Sequence, residues 1–179
     1  MNGYYEVERK NEGNGRMKPT IRAFFFIILL SLNPLCLPAG SIDTNGSWSE
    51  TIDASDLIAG AGSNVNSTYT SPGDQATVDI TLTSGALDEW RVDVKKSDST
   101  WHSSTHLYLR RSSDGTPGHI GATISGGTSY LEVTDIDQAF FSGSGDRLNV
   151  GIQLRLTGFS IQVPPGNYST TVTLTFIDT

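Results

Sequence analysis

Residues 148–157 read Leu-Asn-Val-Gly-Ile-Gln-Leu-Arg-Leu-Thr, and this stretch decides the class of fold. Its aliphatic side chains stand at every second position: Leu148, Val150, Ile152, Leu154 and Leu156. Successive side chains of a strand point to opposite faces, so all five would share one face, whereas a helix would scatter them around its circumference. We therefore predict a β-strand with one buried face.

The same period of two recurs on both sides of this stretch. The residues that would share one face are Ala76, Val78, Ile80 and Leu82 in residues 76–83, Trp90, Val92 and Val94 in residues 90–95, and Tyr168, Thr170, Val172, Leu174 and Phe176 in the last segment. Because only residues 84–88 separate the first two segments, we predict that they form a hairpin. Weaker strands are expected around residues 48–54, 105–111, 119–124, 129–134 and 159–163, and residues 55–75 are expected to form a long loop with one edge strand.

Turn-forming residues separate these segments. In Pro164-Pro165-Gly166-Asn167, for example, Pro165 fits the second position of a type II turn and Gly166 fits the third, where φ is positive. Eight or nine short strands bounded by such turns predict an all-β fold, a two-sheet antiparallel sandwich of immunoglobulin-like or jelly-roll kind. The pattern leaves the choice between these topologies open.

The first forty residues differ from the rest of the chain. Met17, Lys18 and Arg22 precede an apolar run at residues 23–32 (AFFFIILLSL), which suits the core of a signal peptide and is too short to span a bilayer as a helix. We predict an upstream extension at residues 1–16, a signal peptide at 17–40 and one β-sandwich domain at 41–179. A buried core helix and a lipid anchor on Cys36 are the alternatives for this segment.

Export places the mature chain outside the cytoplasm: secreted, extracellular, periplasmic or at the cell surface, with no transmembrane anchor. Residues 41–179 carry seven basic and 16 acidic side chains, a net charge of -9, and such a surface repels a phosphate backbone. We therefore expect no nucleic-acid partner. Because Cys36 is the only cysteine, the mature chain can form neither a disulfide nor a thiolate site.

Catalytic patterns are sparse. His102 and His106 would lie about 13 Å apart on a strand, too far to share a metal ion. The chain contains no Gly-x-Ser-x-Gly sequence of the kind that carries a nucleophilic serine in hydrolases. Carboxylates that could pair for glycoside hydrolysis are Asp53, Asp56, Asp88, Glu89, Asp135 and Asp137. We expect a non-enzyme, with a small secreted glycoside hydrolase as the alternative.

Two kinds of ligand remain as candidates. Oxygen-bearing side chains alternate at Asp43 and Asn45, and again at Asp135 and Asp137, which makes calcium the candidate ion although the spacing departs from the EF-hand pattern. Aromatic rings that could stack on a sugar are Trp48, Trp101, Tyr108 and Tyr130. No other cofactor is expected.

Residues 163–176 (VPPGNYSTTVTLTF) resemble the closing strand of bacterial pilin-like domains. Subunits of chaperone–usher pili and the spore coat protein U family tend to end in a Pro-Gly-x-Tyr turn followed by an alternating Thr/Val strand. The resemblance implies an exported sandwich that polymerises when an N-terminal extension of one subunit completes the sheet of the next. The donor residues would be Ile42, Thr44, Gly46 and Trp48.

The sequence therefore predicts a non-catalytic, secreted or cell-surface structural or adhesive protein. Its expected partners are other protein subunits or surface glycans, and self-association is one form such an assembly could take. A carbohydrate-binding module and a small secreted hydrolase are the alternative functions.

Overall fold

The computed structural model describes residues 40–179. The strands are β1 Ser41–Gly46, β2 Thr68–Thr70, β3 Ala76–Thr81, β4 Glu89–Thr100, β5 His106–Arg111, β6 Thr116–Pro117, β7 Thr123–Gly126, β8 Leu131–Glu132, β9 Gln138–Ser144, β10 Arg147–Thr157 and β11 Ser169–Asp178, and one 3-10 turn spans Ala54–Asp56. Within this part of the chain, no helix is long and apolar enough to cross a bilayer. The predicted extension, the signal peptide and Cys36 lie outside the described residues.

The strands form two antiparallel sheets, so the all-β sandwich predicted from the alternation is confirmed. The larger sheet has the order β1-β3-β10-β5-β8, and the short strands β2 and β6 also pair with β10. The smaller sheet has the order β11-β4-β9-β7. The long strand β10 is thus the centre of the larger sheet, flanked by β3 and β2 on one side and by β5 and β6 on the other.

The core lies between the two sheets. Its fully buried side chains include Val78 and Ile80 from the larger sheet and Trp90, Val92 and Val94 from β4 of the smaller one. The Trp90 indole Nε1 donates a hydrogen bond of 2.8 Å to the Gly145 carbonyl, so even the polar atom of this buried ring is satisfied. The three alternating positions of β4 are buried as the sequence predicts.

Residues 148–157 form a strand, as predicted, but only four of the five aliphatic residues share the inner face. A β-bulge gives β10 one extra residue between Arg147, which pairs with Ile80, and Val150, which pairs with Val78. Asn149 adopts a φ of 56° at this bulge. The alternation therefore shifts, Arg147 turns inward with only 8% of its surface exposed, and Leu148 is outside the core cluster.

The predicted hairpin between residues 76–83 and 90–95 is wrong. Strand β3 pairs with β1 and β10, whereas β4 pairs with β11 and β9, so residues 82–88 cross from one sheet to the other. The strand ends at Thr81, because Leu82 has a φ of 63° and is 60% exposed. Thr83 anchors the crossing: its amide and hydroxyl both donate to Asp146 Oδ1, at 3.0 and 2.6 Å.

The weaker strands are partly confirmed. Strand β5 occupies residues 106–111, the expected edge strand within 55–75 is β2, and β7 and β8 are shorter or shifted relative to prediction. Residues 48–54 and 159–163 contain no strand; the first leads into the 3-10 turn that Asp53 caps, and the second forms a turn in which Val163 N donates to Ser160 O.

Strand β9 was not predicted. Its large apolar residues, Phe140 and Phe141, are adjacent in sequence, and both are buried because the pairing of β9 with β4 contains an irregularity at that point. A bulge of this kind removes the period of two on which the prediction of strands depends.

Candidate functional site

A groove of about 1110 Å³ opens between the larger sheet and the first half of β11. Its apolar walls are formed by Leu107, Leu109, Ile152, Leu154, Leu156, Val172 and Leu174, with further loop residues at the rim. Leu154, Leu156, Val172 and Leu174 are only half-buried, although they pack against the core. Pockets for small molecules are commonly about 300–1,000 Å³, and packed interiors leave few voids larger than a water molecule, so this groove is a binding-sized opening in the core.

The groove exists because the strands at this end of the sandwich do not cover one another. Strand β1 ends at Gly46, whose φ is 131° and where a Cβ would lie only 2.6 Å from the Ala76 Cα. Strand β2 continues the edge of the larger sheet for three residues only. Among the described strands, β11 pairs with β4 alone, so its other edge has unpaired backbone groups beside the groove.

Two of the predicted sugar-binding residues, Trp48 and Trp101, line this groove. Trp101 is half-buried; its Nε1 donates to the Thr105 carbonyl at 2.9 Å, and Lys96 Nζ lies 5.2 Å from the ring centroid. Tyr168 closes the same rim, with its hydroxyl donating to the Pro164 carbonyl at 2.6 Å. The predicted turn before the last strand therefore forms part of the groove wall.

The other two, Tyr108 and Tyr130, lie on the outer face of the larger sheet. Tyr108 belongs to β5 and alternates with Leu107 and Leu109, which point into the core. Its hydroxyl donates to Glu132 Oε2 at 3.3 Å. The predicted aromatic set is thus divided between two separate places, and the structure does not unite its four rings.

The predicted donor segment is part of the sandwich. Ile42 pairs with Ile80 and packs against the core, and Thr44 pairs with Val78. Thr44, Gly46 and Trp48 line the groove. The segment that the resemblance assigns to a neighbouring subunit is therefore an edge strand of its own sheet in this structure.

The predicted calcium residues are not brought together into a metal site. Asp43 pairs with Asp79 across β1 and β3, Asp135 lies in the turn between β8 and β9, and Asp137 forms a 2.9 Å ion pair with Lys95. Asn45 lines the groove. Over residues 40–179, no group of three or more His, Cys, Asp and Glu side chains could hold a metal ion.

Both histidines, and Asp53 among the carboxylates considered for catalysis, have local hydrogen-bond partners. His102 Nδ1 lies 2.8 Å from the Ser104 hydroxyl in a loop, and His106 Nδ1 lies 2.6 Å from Glu132 Oε1. Asp53 accepts hydrogen bonds from the side chain and backbone of Ser55, which lowers its pKa. A carboxyl group held ionised in this way is suited to capping a turn and not to donating a proton.

An ion pair beside Trp101 lines a second, polar cavity, which shares Trp101 with the groove. Lys96 Nζ pairs with the Asp98 carboxylate. Burial raises the pKa of Asp98, but hydrogen bonds from Lys96 and Thr170 outweigh it, and the pKa is lowered. The second cavity has a volume of about 320 Å³, and its lining also includes His106 and Glu132.

The sequence pattern places the apolar wall residues of the groove in the core, and it therefore does not reveal the groove. Leu154 and Leu156 alternate in the same way as the fully buried Ile152 of the same strand. Alternation indicates which face a side chain occupies, but not whether a second sheet covers that face. The chain matches no protein-family model, no curated protein and no solved structure.

Proposed function

We propose that this protein is a non-catalytic secreted or cell-surface structural protein, a pilin-like immunoglobulin-type sandwich that assembles by accepting an extended segment of a second subunit in its groove. The observation that carries the proposal is the row of half-buried apolar side chains, Leu154, Leu156, Val172 and Leu174, beside the unpaired edge of β11.

A strand is the occupant that this geometry favours. An added strand would pair its backbone with the free edge of β11, and every second side chain would enter the groove. Such pairing satisfies the exposed N–H and C=O groups of the edge, while burial of apolar surface contributes roughly 25 cal/mol per Å². Backbone bonding would supply affinity, and the fit of alternate side chains would supply specificity.

The donor in this proposal is the segment containing Ile42, Thr44, Gly46 and Trp48 of another copy. Because β1 pairs with β3 within the chain, exchange between subunits requires this strand to leave its own sheet first. The Trp48 side chain already lines the groove, so the same segment presented by a neighbour would bring an aromatic ring to a surface that fits one.

Val172→Asp tests the groove directly. A carboxylate on this half-buried position would face the apolar walls, so we expect concentration-dependent oligomers of the unsubstituted protein to be lost or weakened by at least about tenfold. The measurement is size-exclusion chromatography with light scattering over a range of concentrations. Circular dichroism establishes that the variant keeps its β fold.

Thr173→Asp is the matched control, because Thr173 is the next residue of β11 and is exposed on the opposite face. This variant should assemble as the unsubstituted protein does. A protein that is monomeric at every concentration, or one in which both substitutions weaken assembly equally, would overturn the proposal.

A further inference from the structure

Two arginines of this acidic protein, Arg110 and Arg155, lack a carboxylate partner among the described residues, and they lie on the neighbouring strands β5 and β10. Of the seven basic residues in 40–179, four form ion pairs: Arg91 with Asp93, Lys95 with Asp137, Lys96 with Asp98, and Arg111 with Asp114. A fifth, Arg147, donates to the backbone carbonyls of Ala122 and Asp114. Among the described residues, Arg110 and Arg155 have no carboxylate oxygen within 4.0 Å.

Both guanidinium groups lie against the ring of Tyr130. The Cζ atom of Arg155 is 3.5 Å from the ring centroid and that of Arg110 is 4.9 Å from it, so the two cations are separated by at most the sum of these distances. Gln153 fixes the arrangement, because its Oε1 accepts from Arg110 Nε at 2.7 Å and from the Tyr130 hydroxyl at 2.9 Å. The Nε of Arg155 is buried without a hydrogen-bond partner within the described part of the chain.

Holding two like charges together is unfavourable unless something compensates for their repulsion. The Tyr130 ring offsets part of it through cation–π contact. An anion that contacts both guanidinium groups would offset the rest, since each guanidinium can bind a carboxylate through two parallel N–H groups. The cluster can therefore bind a negatively charged group, and none of the 16 carboxylates in residues 41–179 supplies one within ion-pair distance.

The neighbouring residues indicate what carries that charge. Arg155 of β10 pairs in register with Tyr108 of β5, and Tyr108 pairs with Glu132 of β8. Neighbouring strands lie about 4.8 Å apart, so the backbone positions of this row of cation, aromatic ring and carboxylate span roughly 10 Å. Because Tyr130 is occupied by the arginines, Tyr108 is the ring left for stacking.

We propose that this outer face of the larger sheet binds a pyranose that carries one carboxylate, a uronic acid unit of a glycan. Arg110 and Arg155 hold the carboxylate, the Tyr108 ring contacts the sugar face, and Glu132, already bonded by Tyr108 and His106, accepts from sugar hydroxyls. The net charge of -9 disfavours a polyanion, which is why the ligand bears a single charge at the contact. This site is on a different face from the groove and does not depend on the proposed assembly.

Glucuronic acid is the probe, and isothermal titration at low salt is the measurement, with glucose, acetate and N-acetyl-aspartyl amide as comparison ligands. We expect glucuronate to bind more tightly than each of them. Arg155→Gln and Arg110→Gln should each weaken glucuronate by about tenfold or more, because each loses a charge-assisted hydrogen bond. Tyr108→Ser should also weaken it.

Arg91→Gln is the matched control, since Arg91 is an arginine of the other sheet that pairs with Asp93, and it should leave binding unchanged. Arg155→Lys keeps the positive charge and provides a second test if the glutamine variant does not fold. It should fold and bind glucuronate more weakly than the unsubstituted protein does. Equal affinity for glucose or acetate, tighter binding of the aspartyl ligand, or no response to any of the arginine substitutions would overturn the proposal.

Discussion

The hydroxyl of Tyr69 is a polar group that the fold buries without satisfying it. Tyr69 is 9% exposed, its ring packs edge-on against Phe159 with centroids 5.5 Å apart, and its oxygen has no hydrogen-bond partner in the described residues. Burial raises its pKa to about 12, and the carboxylates of Asp56 and Glu50 add to the shift. Removing such a group costs the fold little, because its desolvation is already unfavourable.

Tyr69→Phe should therefore leave the free energy of unfolding at neutral pH unchanged or raise it by up to about 1 kcal/mol. The unfolded chain ionises this hydroxyl near pH 10, and the folded chain does so only near pH 12. The contribution of Tyr69 to the free energy of unfolding is therefore fully present below pH 10. It falls as the pH rises toward 12, because the hydroxyl loses its proton first in the unfolded state. Urea unfolding at pH 7, 10 and 11.5 should show a smaller alkaline loss for Tyr69→Phe. If the variant lost as much stability at alkaline pH as the unsubstituted protein, the loss would come from groups other than Tyr69.

At the scale of the element, the bulge in β10 decides which side chains face the core. Asn149 tolerates its φ of 56° because asparagine is among the residues that enter the left-handed region most readily. The backbone N–H of Asn149 donates to Asp79 Oδ1 at 2.6 Å, which connects the bulge to β3. The result is that Arg147 points inward and Leu148 does not join the core.

The effect of a substitution at Asn149 on stability should depend on whether the new residue tolerates a positive φ, and not on its polarity. Asn149→Val should lower the free energy of unfolding by about 1–3 kcal/mol, because a β-branched residue at positive φ is strained. Asn149→Gly should be close to neutral, since glycine adopts this conformation without a steric penalty. Equilibrium urea unfolding measures both, and equal destabilisation by the two substitutions would contradict the assignment of strain to this position.

At the scale of the whole molecule, β1 is the strand through which the fold and the proposed assembly are coupled. It covers the edge of β3, and its Ile42 packs against the core, yet it ends where the groove begins. One segment thus contributes to the stability of the monomer and is the donor that we propose for a neighbour.

Removal of residues 41–50 should lower the thermal midpoint of unfolding and abolish concentration-dependent oligomers, because both the edge strand and the donor are lost. A synthetic peptide of residues 41–50, added in excess, should raise the midpoint again by binding to the folded state. A scrambled peptide of the same composition is the control. Thermal unfolding followed by circular dichroism gives the midpoints; a rescue by the scrambled peptide, or oligomers that persist after removal, would contradict the role of β1.

The sequence by itself determined the local features of this protein. The period of two at Val150, Ile152, Leu154 and Leu156 required a strand with one apolar face, since the direction of a side chain depends on the backbone of its own strand. Repetition of that pattern between turns was sufficient to predict an all-β sandwich.

Only the tertiary structure decided which strands meet. The crossing at residues 82–88 in place of a hairpin, the open groove beside β11 and the contact of Arg110 and Arg155 with Tyr130 all depend on pairing between distant segments. Apolar residues alternate in the same way on a strand face that the opposite sheet covers and on one that it leaves open. Whether a face is covered depends on the strands of the opposite sheet. Both candidate binding sites arise from such pairings, and for this reason the sequence named several of their residues without bringing them together.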